Sequence, residues 1–552
     1  MPQKDESLEV ALEKKLSSIK TKQDEEKYAQ FAKQHNLPFS NLKTAPIDSD
    51  ALSILDEETA RSSKLAVILK GKDRKLVVAI LDPDNESTKK GLEILKSKGF
   101  ELNLIITSPE ALGNIWKRYS GLKKEATYEI GAVQISEQKL DKLYQEIKTV
   151  SDIKSHISSV STTELLETFI AGALKVSASD IHLEPGPEKT RLRYRMDGVL
   201  NDIAEIDTNT YEKLLSRVKV LSKMKLNIHK AAQDGRFTIK QKSVNIEVRV
   251  SVLPSEYGES IVTRLLDPRA IKTSLADLGM RPDLLELLKT QLNRTTGSIF
   301  TTGPTGSGKT TTLYAFIRHL NNPGTKIVTI EDPIEYHIEG ASQTQVDPAK
   351  GYTFSNGLRA IVRQDPDIIL VGEVRDKETA EISLHAALTG HLVLSTIHTN
   401  NAAGTIPRLI DLGIQPQIIA PAINVAMGQR LVRKLCEKCK TKTSPPKEAA
   451  ERLKKSLEPL KEMFKLGSLD NFEIHQAGKC DACNNTGYVG RIGVYEAFVI
   501  SKPMEKLILT SPPISDIEEL AIKEGMVTML QDGYLKVLEG VTSIEEVERI
   551  LS

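Results

Sequence analysis

No stretch of the sequence approaches the roughly 18 consecutive apolar residues that a membrane-spanning helix needs. The start, Met1-Pro2-Gln3-Lys4-Asp5-Glu6, is polar and is no secretory signal. A cytoplasmic protein is expected, reaching a membrane only through partners. Cysteine is scarce as well. Four in 552 residues cannot build a disulfide framework, so their spacing needs another explanation. Charge of one sign is also missing. The 75 lysines and arginines against 74 aspartates and glutamates leave a net +1, which offers no global basic field for nucleic acid or an acidic membrane. What remains is the composition of ordinary globular domains, 39% hydrophobic and 27% charged. The chain is too long for one core, and about three or four domains are expected.

The chemistry is concentrated in Gly303-Pro304-Thr305-Gly306-Ser307-Gly308-Lys309-Thr310. The apolar run Ser298-Ile299-Phe300-Thr301-Thr302 precedes it and Thr311-Thr312-Leu313-Tyr314-Ala315-Phe316-Ile317 follows. Strand, glycine-rich turn and helix start therefore come in the order of a phosphate-binding loop. The glycines let successive N–H groups turn inward around phosphate oxygens, and the helix N-terminus adds partial positive charge to the same concavity. Lys309 is then the residue that reaches the β- and γ-phosphates, Thr310 the Mg²⁺ ligand, and Thr311 a further part of the cradle. The plain alternative, a glycine-rich turn that happens to fit, has to account for both glycines, the Lys-Thr pair and the flanking elements at once.

In chain order, residues 1–25 read as a charged helical tail in which Leu8, Leu12, Leu16 and Ile19 recur at helical spacing. Such a helix either docks on a partner or stays solvated and frayed. Residues 26–120 read as a small α/β domain with strands at Leu65 to Leu69, Lys75 to Leu81 and Leu102 to Ile106, and with the only tryptophan, Trp116, on a helix. Nothing in it looks catalytic, which suits a docking or regulatory module. Residues 121–161 read as a linker. A second α/β domain, 162–274, opens with a helix marked by Leu165, Leu166, Phe169, Ile170 and Leu174, and places a hairpin turn at Asp197-Gly198. Its strands carry Arg191, Arg193, Arg195, Arg249 and Arg264, and the plain reading of each is a side chain facing water. Residues 275–552 form the nucleotide-binding domain. There Ile327 to Ile330, Ile368 to Val371 and Leu392 to Ile397 are short apolar runs followed by Glu331, Gly372-Glu373 and His398. Fully apolar short strands belong in a parallel sheet buried on both faces, where ligands bind at the carboxyl ends.

Glu331, Glu373 and His398 are therefore expected to converge on the nucleotide. Hydrolysis of ATP needs neutralised phosphates, a held Mg²⁺ and an oriented water. Glu373 sits where an acid would hold the metal's water shell or polarise the attacking water, and Glu331 competes for the role of general base. His398 is either a sensor of the γ-phosphate or a satisfied structural histidine. Arg249 and Arg264, on strands just before the nucleotide domain, are the candidates to stabilise charge on the transferring group. The cysteines form Cys436-x-x-Cys439 and Cys480-x-x-Cys483, four soft thiolates suited to a structural Zn²⁺ within a module spanning 436–483. Two independent redox pairs are the alternative.

Taken together these segments resemble the secretion ATPase superfamily of type II secretion and type IV pilus motors. Gly303 to Thr310, Glu331-Asp332-Pro333-Ile334-Glu335, Arg363 through Asp376, and Thr389 through Asn400 look like its Walker A, aspartate box, Walker B and histidine box. Ala178-Ser179-Asp180-Ile181-His182 and the Arg249 and Arg264 strands look like its PAS-like domain. The paired cysteines with Gly487-Tyr488-Val489-Gly490-Arg491-Ile492-Gly493 are similar to its assembly (extension) branch. Residues Phe31 to Asp82 look like the N-terminal domain of those assembly ATPases, without the paired Arg-Leu-Gly motifs that serve cyclic di-GMP binding in many relatives. The resemblance implies a multidomain α/β protein, with a RecA-like P-loop ATPase domain preceded by a PAS-like domain and a small N-terminal α/β domain. It implies ATP, Mg²⁺ and Zn²⁺ as ligands. It also implies a homohexamer acting on an inner-membrane platform protein and a cytoplasmic adaptor of a pilus or secretion machine. Two other functions are weighed against this motor: a nucleic-acid transfer motor of the same superfamily, and a nucleotide-dependent scaffold without useful turnover.

Overall fold

The computed structural model describes residues 23–42, 47–71, 74–119, 132–134, 143, 162–241, 244–271, 273–470 and 472–551. The helix expected around Leu8, Leu12, Leu16 and Ile19, and most of the segment 121–161, lie outside the described residues. The chain divides into two compact units, 1–128 and 129–552. In the first, strands β1 (Leu65–Lys70), β2 (Lys75–Ile80) and β3 (Glu101–Ile106) form a three-stranded sheet. β1 and β2 pair antiparallel and β2 and β3 parallel, the crossover being the helix Glu86–Ser97. That helix begins where the Asn85 side chain accepts the Ser87 N–H, a capping bond that its first turn needs. Trp116, on the helix Pro109–Lys117, donates its indole N–H to the Leu65 carbonyl at 3.1 Å, so its ring is both packed and satisfied.

The second unit holds two seven-stranded sheets. The first has the order β4-β8-β9-β10-β5-β6-β7, from β4 (Ala132–Gln134), β5 (Asp180–Pro185), β6 (Lys189–Met196), β7 (Val199–Asp207), β8 (Gln233–Lys240), β9 (Asn245–Ser255) and β10 (Gly258–Leu266). Asp197 and Gly198 both have positive φ, 48° and 84°, as the tight β6–β7 turn requires. Alternation along β9 buries Ile246, Val248, Val250 and Val252 under the helices Thr162–Lys175 and Thr208–Leu221, and turns Arg249 to the other face. The register then lines up Arg236, Arg249, Arg264, Asp180 and Arg195 across that face. One row of charge thus comes from five strands.

The other sheet runs β13-β12-β14-β15-β11-β16-β19: β11 (Gly297–Thr302), β12 (Ile327–Glu331), β13 (Ala341–Gln345), β14 (Ile368–Val371), β15 (Leu392–Ile397), β16 (Ile423–Leu435) and β19 (Tyr488–Val499). All pairs are parallel except β16 with β19. Every residue of β11, β12, β14 and β15 is buried, which is why these runs carry no alternation. The parallel register brings the carboxyl ends of these four strands to one edge. The antiparallel β16 and β19 are long enough to run past the sheet, and Cys436 follows directly on the end of β16. Between the cysteine pairs the chain folds the helix Lys447–Leu457 and a two-stranded sheet, β17 (Thr441–Thr443) and β18 (Ile474–Gln476). Leu453, Leu457 and Ile474 from this insert pack with Tyr534 and Val547 of the C-terminal helices.

One buried carboxylate ties those helices to the second seven-stranded sheet. Asp532, with no exposed surface, receives Lys536 at 2.7 Å, Arg281 at 3.0 Å and the Tyr495 N–H at 2.7 Å. Replacing it leaves Lys536 as a buried cation without a carboxylate and Arg281 with Asp283 alone, an imbalance that costs about 3–5 kcal/mol. Asp532→Ala is expected to lower the urea midpoint of the unit accordingly at unchanged slope, while a shift below about 1 kcal/mol excludes this anchoring role.

Candidate functional site

The loop after β11 gets its shape from three glycines with positive φ: Gly303 (148°), Gly306 (82°) and Gly308 (91°). A Cβ on Gly303 would lie 2.5 Å from the Gln429 carbonyl and 2.7 Å from Ser307 Oγ, and one on Gly308 would lie 2.8 Å from Gln429 Nε2. No other residue fits at either position. Gly308 leads into the helix Lys309–Leu320 without a side-chain cap, which leaves the first N–H groups of that helix for a ligand. Ser307 Oγ is buried with no protein partner, an acceptor and donor held in reserve inside the loop. An orphaned hydroxyl, free helix N–H groups and a side-chain-free cradle fit the phosphates of a nucleotide.

Lys309 is buried, and its ammonium donates to the Gly303 carbonyl at 2.7 Å and the Pro304 carbonyl at 3.0 Å. Burial pulls its pKa down and the nearby Arg430 charge adds to that, while Glu373 opposes it. The lysine therefore stands in the field of Glu373. Two residues past β14, Glu373 is bound by Arg375 at 2.5 Å and by His398 Nε2 at 3.1 Å. His398 follows β15 directly, and the adjacent Thr399 is fixed to the end of β11 by bonds with Thr302, its N–H donating to Thr302 Oγ1 at 2.9 Å. Thr310 is exposed and Thr311 half-buried, both at the mouth of the loop.

Glu331 ends β12 beside Gly372, and its carboxylate is engaged by Tyr314 at 2.5 Å, Thr329 at 2.6 Å and Gln343 at 3.2 Å. Only 4% of it is exposed, and burial together with that carboxylate pushes the Tyr314 hydroxyl's pKa up. Arg249 reaches the segment after β12, pairing with Glu335 at 2.9 Å and donating to the Ile334 carbonyl at 3.0 Å. Burial pushes the Glu335 carboxyl up, against the opposing pull of Arg249 and Arg264. Arg264 itself is bound to Asp180 at 2.9 Å. Both arginines line a cleft of about 750 Å³ between the arginine-bearing face and residues 333–337, and no residue of the glycine-rich loop lines it. The structure thus joins Lys309, Glu373 and His398 at one sheet edge and holds Arg249 and Arg264 at the neighbouring cleft.

Two residues at this edge escaped the sequence reading. Gln429, 1% exposed, accepts the Thr312 hydroxyl at 2.9 Å and lies against both Gly303 and Gly308. Arg430 donates to the Asn400 carbonyl at 3.0 Å and stands beside Gly303. The one signal available was a Gly-Gln-Arg tripeptide interrupting an apolar strand.

The four cysteines converge: their sulfurs all lie within 4.8 Å of one another, with edges of 3.8, 3.8 and 3.7 Å among those that touch. A tetrahedron with metal–sulfur bonds of about 2.3 Å has edges of about 3.8 Å, so the residues fit a four-thiolate zinc site. One shared cluster also replaces the alternative of two independent redox pairs. Burial opposes ionisation of Cys483, but the Gly487 N–H at 3.2 Å and neighbouring donors bring its thiol down to about 7, while desolvation and the other sulfurs push Cys439 up to about 12. A dication removes the repulsion that separates them.

Comparison with known proteins agrees with this geometry. Residues 157–549 match the family model described as "Type II/IV secretion system protein". The chain is 33% identical over 526 residues to the type IV pilus assembly ATPase PilB of Myxococcus xanthus, covering 95% of this chain and 91% of that one. It is 40% identical over 408 residues to the type II secretion system protein E of Pseudomonas aeruginosa, covering 74% and 79%. Among solved structures, the ATPase DotB of Legionella pneumophila superposes with a TM-score of 0.52 at 21% identity over 71% of this chain and 96% of that one, a likeness of fold. A phosphate-binding loop faced by a carboxylate and a histidine, in a chain that aligns with these ATPases along most of its length, belongs to the type II/IV secretion system protein family and is an ATPase of that family.

Proposed function

We propose that the protein is the motor that hydrolyses ATP to drive assembly of a type IV pilus or a type II secretion pseudopilus at the inner face of the cell membrane. The observation that carries this reading is the meeting of Lys309, Glu373 and His398 at the edge where β11, β14 and β15 end, in a chain aligned with a pilus assembly ATPase over nine-tenths of its length. The loop N–H groups, Ser307 and Lys309 take the phosphates. Mg²⁺, when bound with the nucleotide, spreads charge off the phosphates, and Thr310 and Glu373 are the residues that would hold it and its waters. Water attacks the γ-phosphorus, the bond to the β-bridging oxygen breaks, and the water's proton passes to a carboxylate. Of Glu373 and Glu331, Glu373 is the one facing Lys309; Glu331 first has to leave its three donors. His398 reads the γ-phosphate through its bond to Glu373.

Arg249 and Arg264 then exchange Glu335 and Asp180 for the phosphates as the cleft closes. Hydrolysis is coupled to movement of one domain over the other by that exchange. We infer that six subunits close a ring, with an inner-membrane platform protein and a cytoplasmic adaptor as partners and the N-terminal α/β unit as the docking module. Among the described residues no helix is long and apolar enough to cross a membrane. The tetracysteine module and the balanced charge favour this over nucleic-acid transfer.

ATPase activity measured against oligomer size tests the ring: turnover confined to a six-subunit species supports it, and full turnover in the monomer removes its physical basis. Glu373→Gln is expected to keep ATP affinity and lower kcat by about 10²–10⁴-fold, the usual worth of a positioned acid or base. Wild-type turnover in that variant excludes Glu373 from the chemistry. Reduced protein should carry about one zinc per chain, and Cys439→Ser should lose it together with several degrees of melting temperature. Metal analysis that finds no zinc in the reduced wild type rejects the structural zinc.

A further inference from the structure

β16 lies parallel beside β11, with Thr302 opposite Gly428, so Gln429 and Arg430 continue alongside the glycine-rich loop just as it leaves β11. Arg430 Nη1 stands 3.2 Å from where a Cβ on Gly303 would be, and its Nη2 is anchored on the Asn400 carbonyl at 3.0 Å. The Lys309 ammonium sits on the Gly303 and Pro304 carbonyls, at the same end of the loop. Since the loop lysine serves the β- and γ-phosphates, this end of the cradle is the γ end.

The arginines differ in how they are neutralised. Arg249, Arg264 and Arg375 each pair with a carboxylate: Glu335, Asp180 and Glu373. Arg430 has no such partner among the described residues. The nearby Glu496 is buried, and its two oxygens accept the N–H groups of Ala402 at 2.7 Å and Met529 at 3.1 Å. Two cations, Lys309 and Arg430, are therefore held at one loop end, and their mutual repulsion is one of the effects that lower the Lys309 pKa. Like charges kept together in partly buried surroundings are stabilised by an anion placed between them.

We propose that Arg430 is a catalytic arginine that contacts the γ-phosphate of bound ATP from within the same subunit, separately from Arg249 and Arg264. Its guanidinium is already oriented by Asn400, two residues past His398, so little ordering is needed when the phosphate arrives. Charge on the equatorial γ-oxygens is what an arginine stabilises during phosphoryl transfer. ADP lacks those oxygens, so the contact separates ATP from ADP. This inference rests on the ATPase reading of the same loop.

The test uses the full-length protein as wild type, Arg430→Gln and Arg430→Lys, with affinities for ADP and a non-hydrolysable ATP analogue, steady-state turnover, and the melting temperature without nucleotide. Arg430→Gln is expected to weaken the analogue about 10-fold or more, the range of a lost charge-assisted bond, to leave ADP within about 2-fold, and to lower kcat about 10³-fold or more. Arg430→Lys should restore part of the analogue affinity, and the melting temperature should not move. Equal losses for ADP and the analogue, or no loss for either, overturn the proposal. Unfolding of both variants makes the residue structural and overturns it too. A wild type that binds the analogue without turnover would sink the motor reading, while the ratio of analogue to ADP affinity still decides on Arg430.

Discussion

The structure depends on one close approach: the glycine-rich loop rests directly on Gln429 of β16, with no space for a Cβ at Gly303 or Gly308. Close packing of backbone on backbone is what glycine permits and every other residue prevents. The approach fixes the loop against a neighbouring strand rather than against its own helix alone, and the Thr312–Gln429 hydrogen bond locks the helix to the same strand. β16 in turn pairs with β19, whose Glu496 and Tyr495 hold the loop after His398 and, through Asp532, the C-terminal helices. A strand one place in from the edge of the nucleotide sheet, between β11 and β19, thus joins three parts of the unit.

Charge is distributed with the same economy. The arginine row across β8, β9 and β10 faces a loop bearing Glu335, and each of Arg249 and Arg264 is held by a carboxylate while it waits at the cleft. The partly exposed Arg249–Glu335 pair is worth little net, because what is gained in attraction is mostly lost in desolvation and ordering. A weak pair exchanges partners easily. Under the function proposed above, such a pair leaves the arginine free to exchange its carboxylate for a phosphate, which is the condition for closure to follow nucleotide.

Much of this was legible in the sequence, for identifiable reasons. The glycine-rich loop is readable because its geometry needs glycines at fixed offsets, and the parallel strands because burial on both faces removes alternation. The cysteine pairs declare themselves by chemistry, although the sequence separation of 44 between Cys436 and Cys480 hides that they meet. They meet because antiparallel β16 and β19 bring the two ends of the insert together. The engagement of Glu331 by Tyr314 and Gln343 was not legible, since those residues lie on a helix and on an edge strand that the sequence gives no reason to place against it. Arg430 was hidden for a different reason. An arginine in a largely apolar strand that also carries Arg433 and Lys434 reads as a surface residue until the register beside β11 is known.

The ribbon of β16 and β19 reaches from the phosphate loop to the cysteine cluster. Its sheet end carries Gln429 and Arg430 against the nucleotide loop, and its far end carries the cysteine cluster. The two strands are paired from Val425 with Val499 to Leu435 with Tyr488, interrupted by a register shift between Arg433 and Leu435. Four thiolates at the distal end close the ribbon where it would otherwise fray, and the insert packs there on the helices anchored by Asp532. The cysteine module and the C-terminal helices are thereby packed on the same strand pair that sets Gln429 and Arg430 against the phosphate loop.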